Sequence, residues 1–306
     1  MIVDFLAQCY KAKMRWTRLQ RIFSVSPEWV TLDIGSGDSP FAPADVLCEK
    51  FPWDDTERTA RFRGDRPVVA GDIEALPFRD KVFDYIYCSH VLEHTFSPSN
   101  AIKELMRVGR RGYIEVPSSY LEKTTKSNPT HLWFVRLQGG KLVFSPKHRG
   151  ILDPELNDIF EMLLDKNPYY SLFHYATFYS LFNIGYTWDS SISYSIEQID
   201  VSSSAPETSF EKGDLYGHIN TASTQKMLRE TGIPAFIKSW VYHRSQRAKE
   251  FRIEDLLACP QCKCAVTQDA SHTYYLCSSC KTTYPVREGI PILLSETSRP
   301  PASLIV

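Results

Sequence analysis

The residues best suited to chemistry in this sequence lie around a glycine-rich turn. The stretch Thr31–Asp38 reads TLDIGSGD, so an apolar segment runs directly into Gly35 and Gly37. Two glycines allow a sharp turn and let the main chain approach a ligand without a Cβ atom in the way. Asp33 adds a carboxylate at the carboxyl end of the predicted strand, where open α/β sheets bind ligands. The stretch therefore predicts the centre of a small-molecule site.

A second set of reactive residues is a group of cysteines towards the C-terminal end. Five of the eight cysteines fall between Cys259 and Cys280. Two C-x-x-C pairs, Cys259 with Cys262 and Cys277 with Cys280, can present four thiolates tetrahedrally to Zn²⁺. Four thiolates leave no open coordination position, so we expect a structural zinc ion in a reducing compartment and not a disulfide framework. The fifth cysteine, Cys264, is interpreted as a spare thiol.

Alternating strands and helices are predicted to position the glycine turn. Apolar runs predict five strands, over residues 29–34, 45–48, 67–70, 82–88 and 113–117. Ser97 and Pro98 are typical of a helix start, and Gly109 closes that helix. Pro40 and Pro43 leave little room for a helix after the turn, so that helix is expected to be short or missing. The pattern predicts a doubly wound α/β fold with a mostly parallel sheet.

The remaining segments give weaker patterns. They predict helices over 2–24 and 153–183, a hairpin over 132–144, a late strand over 186–199 and a loop over 201–224. The length of 306 residues allows one large domain and one small one. We expect the large domain over 1–252, with a core at 29–118 and an accessory substrate region at 119–250, and the small domain over 253–299.

Composition limits the classes of function. The chain is 43% hydrophobic with a formal net charge of −1, so no global attraction to nucleic acid or anionic membranes is expected. No run of about 18 apolar residues and no signal-like N-terminal stretch is present. We therefore expect a cytoplasmic protein without a membrane partner. The oligomeric state is left open by the sequence.

Four motifs, in order along the chain, carry a resemblance to a known family. They are LDIGSG at 32–37, GDIEALPF at 71–78, FDYI at 83–86 and SHVLEH at 89–94. Together they resemble the class I methyltransferases that use S-adenosylmethionine (SAM), specifically the type 11 group, over roughly residues 29–118. The resemblance implies a Rossmann-like fold and SAM as cofactor. Dinucleotide binding is disfavoured, because Pro40 occupies the position of the third glycine of G-x-G-x-x-G.

The resemblance also implies a role for each motif position. Asp33, Gly35, Ser36 and Gly37 would contact the methionine part of SAM. Glu49 would hold the ribose, and Asp72 and Ile73 would contact the adenine. Ser89 and His90 would line the methyl-transfer site. Glu49 is also indicated by its position at a strand end, since a carboxylate can accept hydrogen bonds from both ribose hydroxyls.

Three histidines are candidates for a general base. SAM supplies an activated methyl group, and a hydroxyl acceptor is helped by a proton acceptor that works near neutral pH. His90 and His94 follow the fourth strand, and His131 precedes the hairpin expected above the site. Each also has a structural interpretation, as a capping or packing residue. The N-P-P-Y signature of amide and ring-nitrogen methyltransferases is missing after the fourth strand, and the similar residues 167–170 lie far downstream.

The cysteine-rich segment carries a second resemblance. Residues 256–264, 275–280 and 284–294 are similar to short zinc-ribbon proteins related to the activator subunit of eukaryotic tRNA, rRNA and release-factor methyltransferases. By analogy, the zinc ribbon is expected to dock on the catalytic domain.

These observations lead to a SAM-dependent methyltransferase whose acceptor is a small molecule, such as a sugar or lipid precursor hydroxyl. The first alternative is a methyltransferase for tRNA or protein, which a basic face near the cleft would favour. The residues available for such a face are Arg107, Arg110, Arg111, Lys123, Lys126, Arg136, Lys147 and Arg149. Two further alternatives are a non-catalytic scaffold or activator with this fold and a nicotinamide-dependent oxidoreductase.

Overall fold

The computed structural model describes residues 21–22, 24–55, 61–124, 130–147, 158–160, 162–163, 179–197 and 252–295. Several predicted features lie wholly or mostly outside these residues: the N-terminal helix over 2–24, the helical region over 153–183 including residues 167–170, and the loop over 201–224. Among the described residues, none of the helices has both the length and the hydropathy needed to cross a bilayer.

The described strands, in chain order, are β1 (Thr31–Ile34), β2 (Val46–Glu49), β3 (Val68–Ala70), β4 (Phe83–Ser89), β5 (Gly109–Pro117), β6 (Trp133–Gln138), β7 (Lys141–Pro146), β8 (Asn183–Asp189), β9 (Tyr194–Ile196), β10 (Val266–Gln268), β11 (Tyr274–Cys277), β12 (Thr283–Arg287) and β13 (Ile290–Pro291). The helices are α1 (Pro98–Val108), α2 (Ser119–Thr124) and α3 (Tyr179–Phe182), with three short 3-10 helices at Ile73–Ala75, Leu92–His94 and Ile253–Asp255.

A six-stranded sheet in the order β3-β2-β1-β4-β5-β8 forms the centre of the molecule. The first five strands of that order run parallel, and β8 pairs antiparallel with β5. All four residues of β1 are buried, as expected for a central strand of a parallel sheet covered on both faces. The sheet confirms the predicted α/β class and the predicted strands.

The helix α1 forms where the sequence places its start and end signals. The Ser97 side chain accepts a hydrogen bond from the Asn100 amide, and Pro98 occupies the first helical position. At the other end, the Gly109 amide donates to the Leu105 carbonyl. No helix occurs between residues 38 and 45, which the structure describes in full, so the predicted absence of a helix after the glycine turn is also confirmed.

The late strand predicted over 186–199 is wrong as a single element. The chain forms β8 in the central sheet and then β9, which belongs to a separate three-stranded sheet in the order β6-β7-β9. The break falls at Ser190, whose φ of 64° lies in the left-handed region and turns the chain out of the first sheet. β6 and β7 form the antiparallel hairpin predicted over 132–144.

Residues 252–295, which we term the C-terminal module, carry an antiparallel sheet in the order β10-β11-β12-β13 and pack on the edge of the central sheet. The Leu293 amide donates to the Ala70 carbonyl at 2.9 Å, so the module continues the hydrogen bonding beyond β3. The Ala258 amide donates to the Pro77 carbonyl, also at 2.9 Å. The module therefore covers an edge strand that would otherwise expose its main-chain groups.

This docking predicts that the module and the central sheet stabilise each other. Leu293 is fully buried in the apolar core that both share. Leu293→Ala should lower the free energy of unfolding by ~2–5 kcal/mol, because it leaves a cavity between them. Chemical denaturation followed by intrinsic fluorescence measures this loss. As a control, Ile196→Ala, at a side chain that is 36% exposed, should change stability by less than ~1 kcal/mol. If Leu293→Ala loses no more stability than this control, the packing at Leu293 does not stabilise the contact between the module and the sheet.

Candidate functional site

A cavity of about 1080 Å³ opens at the carboxyl ends of the central strands. It is lined by every residue that the sequence predicts for cofactor binding or proton transfer: Asp33, Gly35, Ser36, Gly37, Glu49, Asp72, Ile73, Ser89, His90, His94 and His131. These residues come from four neighbouring parallel strands, β3, β2, β1 and β4, or from the loops after them, and from the segment just before the β6–β7 hairpin. The topology thus brings residues that are up to about 100 positions apart in the chain together at the carboxyl ends of the strands.

The glycine turn depends on both of its glycines. Gly35 and Gly37 have φ values of 69° and 52°, in the region that favours glycine. A Cβ atom on Gly35 would lie 2.3 Å from Cγ2 of Val91, so no side chain fits there. A Cβ atom on Gly37 would meet no atom within 4 Å, because this residue faces the open cavity. The turn therefore presents bare main chain to whatever occupies the cavity.

Asp33 is a buried carboxylate at the centre of this edge, with an exposed fraction of 2%. Its Oδ2 accepts a hydrogen bond of 2.7 Å from the Phe41 amide. Burial raises the pKa of Asp33 to about 7, although the Phe41 hydrogen bond and the positive charge of Arg66 act in the opposite direction. A carboxylate in this state gains from a cation placed beside it.

Glu49 and Asp72 lie on the same wall of the cavity, at the ends of β2 and β3. Oε2 of Glu49 accepts a hydrogen bond of 3.2 Å from the Gly37 amide, so the glutamate is tied to the glycine turn. Oδ1 of Asp72 accepts from the Glu74 amide at 3.0 Å and caps the 3-10 helix that follows. Its Oδ2 lies 2.9 Å from Nζ of Lys50. These contacts fix both carboxylates in the cavity wall.

The opposite wall contains a buried ion pair that sequence reasoning missed. The guanidinium of Arg21 makes a bidentate ion pair with the carboxylate of Glu115. The hydroxyls of Tyr113 and Tyr179 donate hydrogen bonds to the same carboxylate at 2.8 and 2.9 Å. Burial and the charge of Glu115 raise the pKa of Tyr113 well above its ordinary value. The only local signal for this site is an acidic residue within the otherwise apolar second half of β5, YIEVP at 113–117.

The histidines lie on the side of the cavity near β4 and the hairpin. His90 has a φ of 56°, and its Nδ1 lies 3.4 Å from Oε1 of Glu93. Burial alone would lower the pKa of His90, but Glu93 and Glu115 raise it above the ordinary value. The rings of His94 and His131 meet edge to face, with centroids 4.5 Å apart. The structure therefore brings all three histidines to the same cavity.

The four paired cysteines of the C-terminal module converge on one point. Their Sγ atoms all lie within 4.8 Å of one another, with 3.6 Å between Cys259 and Cys280 and 3.4 Å between Cys262 and Cys277. Zn–S bonds of about 2.3 Å in a tetrahedron put neighbouring sulfurs about 3.8 Å apart, so this set fits a zinc ion. Cys264 is not a member of the group.

Comparisons with known proteins agree with both parts of the chain. A family model described as a methyltransferase domain matches residues 32–114. A demethylmenaquinone methyltransferase of Renibacterium salmoninarum is 33% identical over 105 residues, which are 32% of this chain and 44% of that protein. The crystal structure of a SAM-dependent methyltransferase of Thermotoga maritima is 27% identical and covers 39% of this chain and 56% of its own, with a TM-score of 0.28. The chain thus spans about half the length of these two methyltransferases.

The C-terminal module has relatives of its own. A UPF0434 protein of Ralstonia nicotianae is 38% identical over 48 residues, which are 16% of this chain and 77% of that protein. The family match to residues 32–114 and the parallel sheet identify a class I SAM-dependent methyltransferase domain of the type 11 group. Through its C-terminal module the chain belongs to the UPF0434 family, so it is a fusion of the two.

The raised pKa of Asp33 predicts a pH-dependent stability. Folding raises this pKa from about 4 to about 7, so the folded state binds the proton more tightly than the unfolded chain. The free energy of unfolding should therefore fall as pH rises through this window, with a total contribution from Asp33 of ~4 kcal/mol. Asp33→Asn keeps an acceptor for the Phe41 amide and removes the charge.

Urea unfolding of both proteins between pH 5 and pH 8 checks this expectation. Other titrations largely cancel in the difference between them, so the variant should gain stability relative to the wild type as pH rises. A difference that stays constant from pH 5 to pH 8 would show that Asp33 carries no desolvation penalty.

Proposed function

We propose that the chain transfers the methyl group of SAM to a small-molecule acceptor that enters the cavity from the histidine side. The observation that carries this proposal is the buried Asp33 beside the bare main chain of Gly35 and Gly37. This arrangement suits the cationic methionine end of SAM. The cavity volume of about 1080 Å³ has room for a cofactor and a small acceptor together.

Two features of the cavity wall fit SAM before any ligand is present. The hydroxyl oxygen of Ser36 is buried and has no hydrogen-bond partner among the described residues, so it is available to a polar ligand. The charge of Asp33 is unfavourable in its buried position unless a cation is bound nearby. The ammonium group of SAM would satisfy both, because it carries a positive charge and donates hydrogen bonds, whereas the sulfonium would offset only the charge of Asp33.

We assign successive parts of SAM to the residues that follow β1, β2, β3 and β4. Asp33, Gly35, Ser36 and Gly37 would hold the methionine part, and Glu49 would accept from the ribose hydroxyls. Asp72 would accept from the exocyclic amine of the adenine, while Ile73 packs on the ring face. Ser89 and His90, at the end of β4, would border the position from which the methyl group leaves.

The chain has the groups that methyl transfer requires. SAM, when bound, supplies a methyl group already activated by its sulfonium. The residues must align an acceptor with that methyl group, exclude water and take up the proton of a hydroxyl acceptor. His90 is our candidate for the proton acceptor, because it borders the cavity at the end of β4 beside two carboxylates.

A macromolecular acceptor is disfavoured by the pairing of the candidate basic residues. Five of the eight residues considered for a basic face form ion pairs with carboxylates: Arg107, Arg110, Arg111, Arg136 and Lys147. Paired cations contribute little to phosphate binding, which needs positive potential. Methylation of tRNA or protein, with the C-terminal module as a built-in activator, is the second candidate function.

For the cysteine group we propose a structural zinc ion bound by Cys259, Cys262, Cys277 and Cys280. Such an ion would hold the C-terminal module in the form that packs on the central sheet, and it would leave no open position for chemistry. We also propose that the large and small domains divide at residue 252.

We further propose a reducing compartment, the cytoplasm, because none of the seven described cysteines forms a disulfide.

The adenine assignment predicts that Asp72→Ala weakens SAM binding. Loss of the acceptor for the exocyclic amine should cost ~1–3 kcal/mol of binding free energy, measured by titration calorimetry. Glu74→Ala is a matched control, because Glu74 lies on the same 3-10 helix but accepts from the Phe96 amide and does not line the cavity. It should leave the affinity unchanged.

The ion pair of Asp72 with Lys50 offers a second explanation for such a loss. The double variant Asp72→Ala, Lys50→Met separates the two explanations. If the affinity returns to that of the wild type, the unpaired lysine caused the loss and Asp72 does not bind the adenine. If the affinity stays low, the assignment stands.

The acceptor class is tested with methyl-labelled SAM and a fractionated cell extract. We expect the label to enter small molecules. Label in RNA or protein would contradict the small-molecule acceptor and establish the second candidate function. If SAM binds but no fraction is labelled, the result would favour a non-catalytic scaffold. A nicotinamide cofactor that displaces SAM from the cavity would instead revive the oxidoreductase interpretation.

A further inference from the structure

A second group of metal-ligating side chains lies at the wall of the cavity, far from the cysteines in sequence. One ligand atom from each of Glu93, His94 and His131 lies within 4.8 Å of the other two. A tetrahedral ion with bonds of about 2.1 Å holds its ligand atoms about 3.4 Å apart, so small side-chain rotations would complete the set. We propose that these three residues bind a divalent transition-metal ion.

Glu93 provides the observation that points to a ligand. Its exposed fraction is 0%, and neither carboxylate oxygen accepts a hydrogen bond from any residue that the structure describes. Nδ1 of His90 lies 3.4 Å from Oε1, which is an ion-pair distance without hydrogen-bond geometry. A fully buried carboxylate normally accepts hydrogen bonds or binds a metal, and the contact with His90 supplies neither. A cation between Glu93 and the two imidazoles would satisfy it.

His131 is held in an orientation that suits a metal ligand. Its Nδ1 lies 2.5 Å from Oε1 of Glu122, whose other oxygen is paired with Lys147. A carboxylate on one ring nitrogen fixes the tautomer that offers the other nitrogen as a lone pair, as is common for metal-bound histidines.

The two chain segments that carry the group are fastened to each other. The Leu132 amide donates to the Glu93 carbonyl at 2.7 Å, and Nε1 of Trp133 donates to the Thr95 carbonyl at the same distance. The start of the β6–β7 hairpin is thereby held against the 3-10 helix Leu92–His94. This connection keeps His131 beside His94 without any ion, so the site is largely preformed.

The ligand set indicates the kind of site. Two histidines and one carboxylate are typical of catalytic zinc sites and of other open sites for divalent transition metals, which keep a position for water or substrate. His94 and His131 line the cavity while Glu93 lies behind them, so the remaining positions face the cavity. The cysteine group, by contrast, would be closed. This inference is independent of whether methyl transfer occurs.

The test is to count and identify metal ions in the full chain, stripped of metal and reloaded with Co²⁺. Thiolate ligation gives sulfur-to-cobalt charge-transfer absorption, whereas a site of two histidines and a carboxylate does not. We expect two ions per chain, one with and one without this absorption. Cys277→Ser should retain the ion without thiolate character. His131→Ala should lose that ion and retain the other.

Glu93→Gln keeps the shape of the side chain and removes its charge, so it remains informative if His131→Ala fails to fold. We expect it to weaken the second ion by at least tenfold, since the carboxylate is a direct ligand. His272→Ala, an exposed histidine of the C-terminal module, is the control and should keep both ions. The proposal is wrong if the wild type binds only thiolate-ligated metal, or if Glu93→Gln and His131→Ala both keep the second ion at full affinity.

Discussion

The carboxylate of Asp33 is buried by the fold before any ligand arrives, and the cavity is built around it. Asp33 lies near the carboxyl end of the central strand β1, and its carboxylate accepts a hydrogen bond from the Phe41 amide. The left-handed turn at Gly35 and Gly37 keeps side chains away from it. Burial raises its pKa to about 7, so this group opposes stability at neutral pH unless a cation offsets its charge. In the function that we propose, the SAM cofactor would provide such a cation.

The C-terminal module packs along the β3 edge of the same sheet. It adds main-chain hydrogen bonds beyond β3, and Nζ of its Lys263 lies 2.8 Å from Glu104 on α1. A short edge strand is a weak point of an open sheet, and the module covers it from within the same chain. The UPF0434-like module is therefore attached to the methyltransferase domain by main-chain hydrogen bonds and an ion pair as well as by the chain.

Sequence patterns predicted the structural features that depend on residues close together in the chain. The strand before the glycine turn, the Ser97 cap of α1 and the two cysteine pairs could all be predicted because each depends on residues close together in sequence. The Arg21–Glu115 contact could not, because its partners are 94 positions apart. The single late strand was wrong because the turn at Ser190 has no glycine or proline to mark it. Likewise, the residues around Glu93 gave no local sign that its carboxylate would be buried without a hydrogen bond.

The most direct test is a crystal structure of the full chain grown with S-adenosylhomocysteine, the demethylated form of SAM. We expect its amino-acid end beside Asp33 and the turn of Gly35 and Gly37, its ribose at Glu49 and its adenine at Asp72. Density for the nucleoside at another surface, or a cavity that stays closed to it at saturating concentration, would contradict the claim that Asp33 and the glycine turn form a SAM site.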